Sequence, residues 1–178
     1  AEEKGLLGAS YYARPPLAPL EKTAAVLNIE MFSPDGATRD IASWGKGRVS
    51  LEGDLERVAK ARGRSYSPDP NLEAGFFYRA DHFAFARLGV PAITIGPGLD
   101  KQDGGIEAGR ALREKYFKDC YHQACDAWTP RWDPAGHAAD TLLVYDLGAE
   151  LANSRTWPQW EEASEFRKAR DSSEAARR

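Results

Sequence analysis

Residues 24–32 read Ala-Ala-Val-Leu-Asn-Ile-Glu-Met-Phe, an apolar run of strand length whose only polar members are Asn28 and Glu30. A run of that kind is too short for a typical buried helix and does not alternate as a one-sided strand would, so it reads as a central strand covered on both faces. Val90–Ile95 is a second buried strand, and Asp40–Trp44 a third. Between them, Leu51–Arg62 places Leu51, Leu55, Val58 and Ala59 on one helical face. Strands alternating with helices predict an α/β domain, a three-layer sandwich with a mixed, largely parallel central sheet.

Asp81–Leu88 reads as a helix with Asp81 near its N-terminus and Gly89 closing it. The Gly- and charge-rich stretch 96–119 reads as a loop with at most a short helix at its end. Residues 137–152 carry a helical apolar pattern (Ala138, Leu142, Tyr145, Leu147, Leu151). The highly charged stretch 161–178 reads as a solvated helix that frays, leaving residues 1–160 as the folded domain. At 178 residues, 42% hydrophobic and 29% charged, the chain has ordinary globular values and length for one sizeable core. A net charge of -3 gives no basic field for nucleic acid or a membrane surface. No apolar run approaches the roughly 20 residues that span a bilayer.

Four segments carry the candidate chemistry: Ala1-Glu2-Glu3-Lys4-Gly5-Leu6-Leu7-Gly8, Val26-Leu27-Asn28-Ile29-Glu30-Met31, the stretch from Asp81-His82 to Ala92-Ile93, and Tyr121-His122-Gln123-Ala124-Cys125-Asp126. Adjacent acids such as Glu2 and Glu3 point in different directions, so one can ligate a metal while the other takes a proton. Gly5 lets the backbone turn beside them, ahead of an apolar surface expected to be buried. A lone carboxylate such as Glu30 in a buried strand is costly unless it is paired or coordinates a metal.

In this order the segments resemble the zinc-dependent aminopeptidases with a co-catalytic zinc pair, a family that includes transferrin-receptor-like carboxypeptidases and glutaminyl cyclases. The resemblance runs from residue 1 to about residue 166. It implies that Glu2 is the general base, that Glu3, Glu30 and His122 bind zinc, and that Tyr121 polarises the scissile carbonyl. Glu30 stands where the family usually has Asp, a departure of one methylene. Asp81 and His82 match a segment at the rim of the substrate cleft, and substrate contact stands beside a helix N-cap for Asp81 and a packed ring for His82. Asp126 is expected to accept a hydrogen bond from His122 or to cap the following turn.

The family's site also draws on an earlier His-x-Asp segment with the bridging aspartate. The chain is therefore expected to be the C-terminal part of a longer, N-terminally incomplete catalytic domain. The implied activity is a metal-dependent exopeptidase, an aminopeptidase acting on peptides, with two zinc ions in a complete site and a periplasmic or secreted location. A non-catalytic peptidase-like binding module and a single-zinc glutaminyl cyclase are the competing expectations. Cys120 and Cys125 flank His122, and two free thiols are expected in preference to a disulfide because so short a loop is often too strained to close.

Overall fold

The computed structural model describes residues 2–14, 17–31, 35–69 and 71–177. Its sheet has four strands, β1 (Val26–Ile29), β2 (Asp40–Trp44), β3 (Ser65–Ser67) and β4 (Ala92–Pro97), in the order β1-β4-β2-β3. β1 runs parallel to β4, with Asn28 opposite Thr94. β2 runs parallel to β3 and antiparallel to β4. The sheet is thus mixed and mostly parallel, as the alternation of apolar runs and helical faces requires.

β4 holds the centre, with all six residues buried and a neighbour on each side. It starts after Pro91, which has no N–H to give, although its carbonyl accepts from Val26 N at 2.9 Å. The run at 24–32 is corrected in place: its strand lies at the edge of the described sheet, half-buried, with Ile29 39% exposed. Phe32 lies outside the described residues. Apolar composition marks a strand, but the order of pairing decides whether it is central.

Among the described residues the α-helices are α1 (Leu7–Tyr12), α2 (Leu51–Ala61), α3 (His82–Ala86), α4 (Gly105–Asp119), α5 (Ala135–Asn153) and α6 (Arg167–Asp171). Leu51, Leu55, Val58 and Ala59 of α2 are all buried, as their spacing predicts. Gly148 of α5 faces the Leu27 side chain on β1. The next residue along β1, Asn28, reaches Thr94, which in turn meets His82 of α3. Successive strand residues point to opposite faces, so α5 and α3 cover opposite sides and make three layers.

The stretch read as a loop at 96–119 contains the 15-residue α4. Two glycines with positive φ, Gly104 and Gly105, open it and disguise a helix-rich sequence behind loop composition. Its Gly109 is required by contact, since a Cβ there would lie 2.0 Å from the Leu99 carbonyl oxygen.

The C-terminal stretch also differs from expectation. Trp160 is fully buried and donates from Nε1 to the Gly89 carbonyl at 2.9 Å. Phe166 belongs to the same core, stacking on Phe77 with ring centroids 5.7 Å apart. Arg170, 1% exposed, donates to the Thr23 carbonyl at 3.1 Å. Charged residues on the outer face hid a few apolar anchors at which the segment is fastened to the domain.

Candidate active site

Glu2–Lys4 form a single 3-10 turn, closed by hydrogen bonds from Gly5 N and Leu6 N to the Glu2 carbonyl at 3.0 and 2.9 Å. The backbone then passes through positive φ at Gly5 (96°) and Leu6 (58°). For glycine that costs nothing, but for leucine it is an uncommon conformation held by its surroundings. The apolar surface expected after this turn is not buried, because Leu7 is 58% exposed on α1.

The second uncommon residue of this kind is His122, with φ of 61°. It follows α4 on the loop carrying Cys120 and Cys125, and these two cysteines are joined in a disulfide with Cα atoms 5.5 Å apart. The free-thiol expectation is thereby corrected: the end of α4 and the turn after it bring the two Cα atoms into the range a disulfide spans.

These two strained turns meet. His122 Nε2 lies 2.9 Å from Glu3 Oε1, pairing residues from the two ends of the candidate set. The Tyr121 ring stacks on His122 at 3.8 Å between centroids. Asp126 takes neither expected role and accepts a hydrogen bond from the Tyr116 hydroxyl at 2.8 Å. Glu3 is the partner of His122.

Glu2, Glu30 and Asp81 belong to the same electrostatic neighbourhood. The Glu2 carboxyl is held above the ordinary carboxylate range by desolvation first, then by the charges of Glu3 and Asp81, with His122 opposing. Burial raises Glu30 most, the hydrogen bond from Asn28 opposes it, and Glu2, Asp81 and Glu3 add to it. Tyr121 is raised by burial and by Glu3, Glu2 and Glu30, so its hydroxyl keeps its proton and can donate. Asp81 makes no capping bond on α3, and its Oδ1 is buried without a hydrogen-bond partner. His82 is fully buried, edge-on to Phe77 at 4.5 Å, which matches the packed-ring alternative and keeps it off the surface.

The structure adds two residues to the set. Asn28 Nδ2 donates to Glu30 Oε2 at 3.2 Å and to Thr94 Oγ1 at 3.1 Å. Thr94 Oγ1 lies 2.6 Å from His82 Nδ1. The ring's tautomer sets which of Thr94 Oγ1 and His82 Nδ1 donates in this bond, and His82 Nε2 is buried without a hydrogen-bond partner. Desolvation lowers His82 to about 3, in keeping with a ring that stays neutral. The chain Glu30–Asn28–Thr94–His82 therefore fixes the side-chain direction of Glu30. Asn28 and Thr94 were visible as single polar residues inside apolar runs, but their partnership depends on strand register.

The sequence matches the profile of peptidase family M28 over residues 1–145. The chain belongs to that family. The M28 peptidases are zinc-dependent aminopeptidases and carboxypeptidase-like proteins. Comparison with curated proteins gives no match. The imidazole of His122 and the carboxylate of Glu3 are donors of the kind zinc takes, and a catalytic zinc needs at least three protein ligands. Among the described residues no group of three or more His, Cys, Asp or Glu is gathered closely enough to hold a metal ion. For an M28 peptidase the residues fit zinc in chemistry, but the described set does not complete its coordination. Nor is any helix among them long and apolar enough to cross a membrane.

Proposed function

We propose that this chain carries part of the active site of a metal-dependent exopeptidase, an aminopeptidase that removes N-terminal residues from peptides. The observation that carries this reading is the 2.9 Å approach of Glu3 Oε1 to His122 Nε2, with Glu2 and Tyr121 beside the pair. Glu3 and His122 would hold zinc, with Glu30 contributing an oxygen donor from the same neighbourhood. Bound zinc supplies Lewis acidity, which makes water a nucleophile near neutral pH.

The remaining work falls to side chains. Glu2, whose raised pKa makes it a stronger base than an ordinary carboxylate, accepts the proton of the attacking water and returns it to the leaving amine. Tyr121 keeps its proton and donates to the carbonyl oxygen as negative charge develops there. The Cys120–Cys125 disulfide ties down the loop of His122 and supports a periplasmic or secreted location, where disulfides persist. Replacing Glu2 by Gln in the full-length enzyme is expected to lower aminoacyl-anilide turnover by about a hundredfold or more while zinc content stays unchanged. Near-normal turnover in that variant would remove Glu2 from the role of base.

A second reading, a peptidase-like binding module without catalysis, is favoured by the lack of a three-donor group among the described residues. Metal analysis of the full-length protein separates the two. Zinc bound in stoichiometric amount supports the enzyme, and its absence after purification in zinc-containing buffer supports the module.

A further inference from the structure

We propose that the aromatic cavity beside the candidate site receives the side chain of the substrate's N-terminal residue and selects one that ends in a carboxylate. The inference rests on the aminopeptidase reading and adds a substrate class to it. The cavity has a volume of about 570 Å³, and Trp44, Phe76 and Phe117 form its wall. Their ring centroids are spaced by 5.3 and 5.6 Å. The row of rings continues from Phe117 to Tyr121 at 4.8 Å and from Tyr121 to His122 at 3.8 Å. It therefore runs unbroken from the cavity wall to the Glu3–His122 pair. Met31, the neighbour of Glu30, also lines the cavity, so a side chain lodged there keeps its backbone beside the candidate site.

The charge in the cavity has one sign to spare. Arg113, on the same helix as Phe117, is half-buried and donates from Nη2 to the Pro97 carbonyl at 2.7 Å. A guanidinium has five N–H donors, and no carboxylate among the described residues lies within ion-pair distance of this one. Arg110 and Lys118 stand exposed on the same helix and also line the cavity. Of the lining acids, Asp69 is already engaged, accepting from Gly45 N at 3.2 Å and Asn71 N at 2.8 Å, while Glu114 is exposed. Burial disfavours the Arg113 cation, and the charges of Asp40 and Asp69 oppose that from beyond ion-pair distance, so an anion lodged in the cavity would supply the direct pair that neither makes. Apolar walls with a cationic end suit the methylenes and carboxylate of a glutamyl side chain and disfavour lysyl or arginyl ones.

The test compares glutamyl- and glutaminyl-anilides on the full-length enzyme, since the two side chains differ in charge and hardly in shape. The expected kcat/KM ratio favours glutamyl by about tenfold or more, because a site built around a polar partner rejects the analogue that lacks it. Arg113→Gln should erase that preference, and Arg113→Lys should keep its sign. Calorimetric titration with Glu-Ala, Gln-Ala and Glu-Ala amide reads the cavity without requiring turnover. A Glu-Ala preference that Arg113→Gln removes upholds the cavity assignment, even should no anilide be hydrolysed and the peptidase reading fall. Equal use or equal binding of the glutamyl and glutaminyl ligands overturns the assignment. So does a preference that survives Arg113→Gln, or binding lost on amidation, which would make the chain-terminal carboxylate the recognised group.

Discussion

His82 illustrates how much one residue's surroundings change its chemistry. Its ordinary value of 6.5 falls to about 3 through desolvation, while the ring in the unfolded chain titrates normally. As pH falls below 6.5, the unfolded state takes up a proton that the folded state refuses until about 3. Stability contributed by neutral His82 is therefore present above 6.5 and is lost progressively as pH drops through that window. Urea unfolding of wild type and His82→Gln at a series of pH values checks this, and the variant should have the shallower acid limb. Identical acid limbs would mean that His82 is not the group responsible. At the same scale, Thr94→Val removes the hydroxyl that joins Asn28 to His82. Leaving those buried groups unpartnered is expected to cost roughly 1–3 kcal/mol in denaturant unfolding. Glu2, Glu3, Glu30, Tyr121 and His122 stood out as candidates through the resemblance of their segments to the family. The roles of Asn28 and Thr94 did not, because a hydrogen bond between strands has no mark in either strand alone.

Gly89 ties two elements together. It ends α3 with φ of 90°, and its N–H donates to the Ala86 carbonyl at 2.8 Å. A Cβ at this position would lie 2.6 Å from the backbone nitrogen of Arg170 on α6. Gly89→Ala thus meets both a disfavoured φ and a backbone clash, and thermal unfolding should report a loss of roughly 1–3 kcal/mol or more. Wild-type stability in this variant would show that α6 is free to move away. The role of Gly89 as a stop signal was readable from Leu88-Gly89-Val90-Pro91, whereas its contact with a segment some eighty residues later was not. α4 makes the opposite point. Among its residues only Gly109 is buried, so the helix carries little of the apolar periodicity by which helices are found.

Across the whole molecule, the C-terminal segment behaves as part of the core. Trp160 and Phe166 pack with Phe77 and Phe83, and Arg170 hydrogen-bonds carbonyls just ahead of β1. Ending the chain after Glu161 would delete Phe166 and Arg170, and by analogy with large-to-small core changes should cost about 3–5 kcal/mol, read as a fall in the denaturant midpoint. An unchanged midpoint would return the segment to the status of a solvated appendage. The sequence by itself determined the α/β class, the helical face of α2 and the β2 strand. Those depend on periodicity and side-chain chemistry, which are local. Only the tertiary structure decided that β4 is the central strand, that residues 160–170 are fastened into the core, and that Glu3 lies against His122. Each of these is a contact between segments distant in sequence, set by which apolar surfaces and backbone edges find one another when the chain closes.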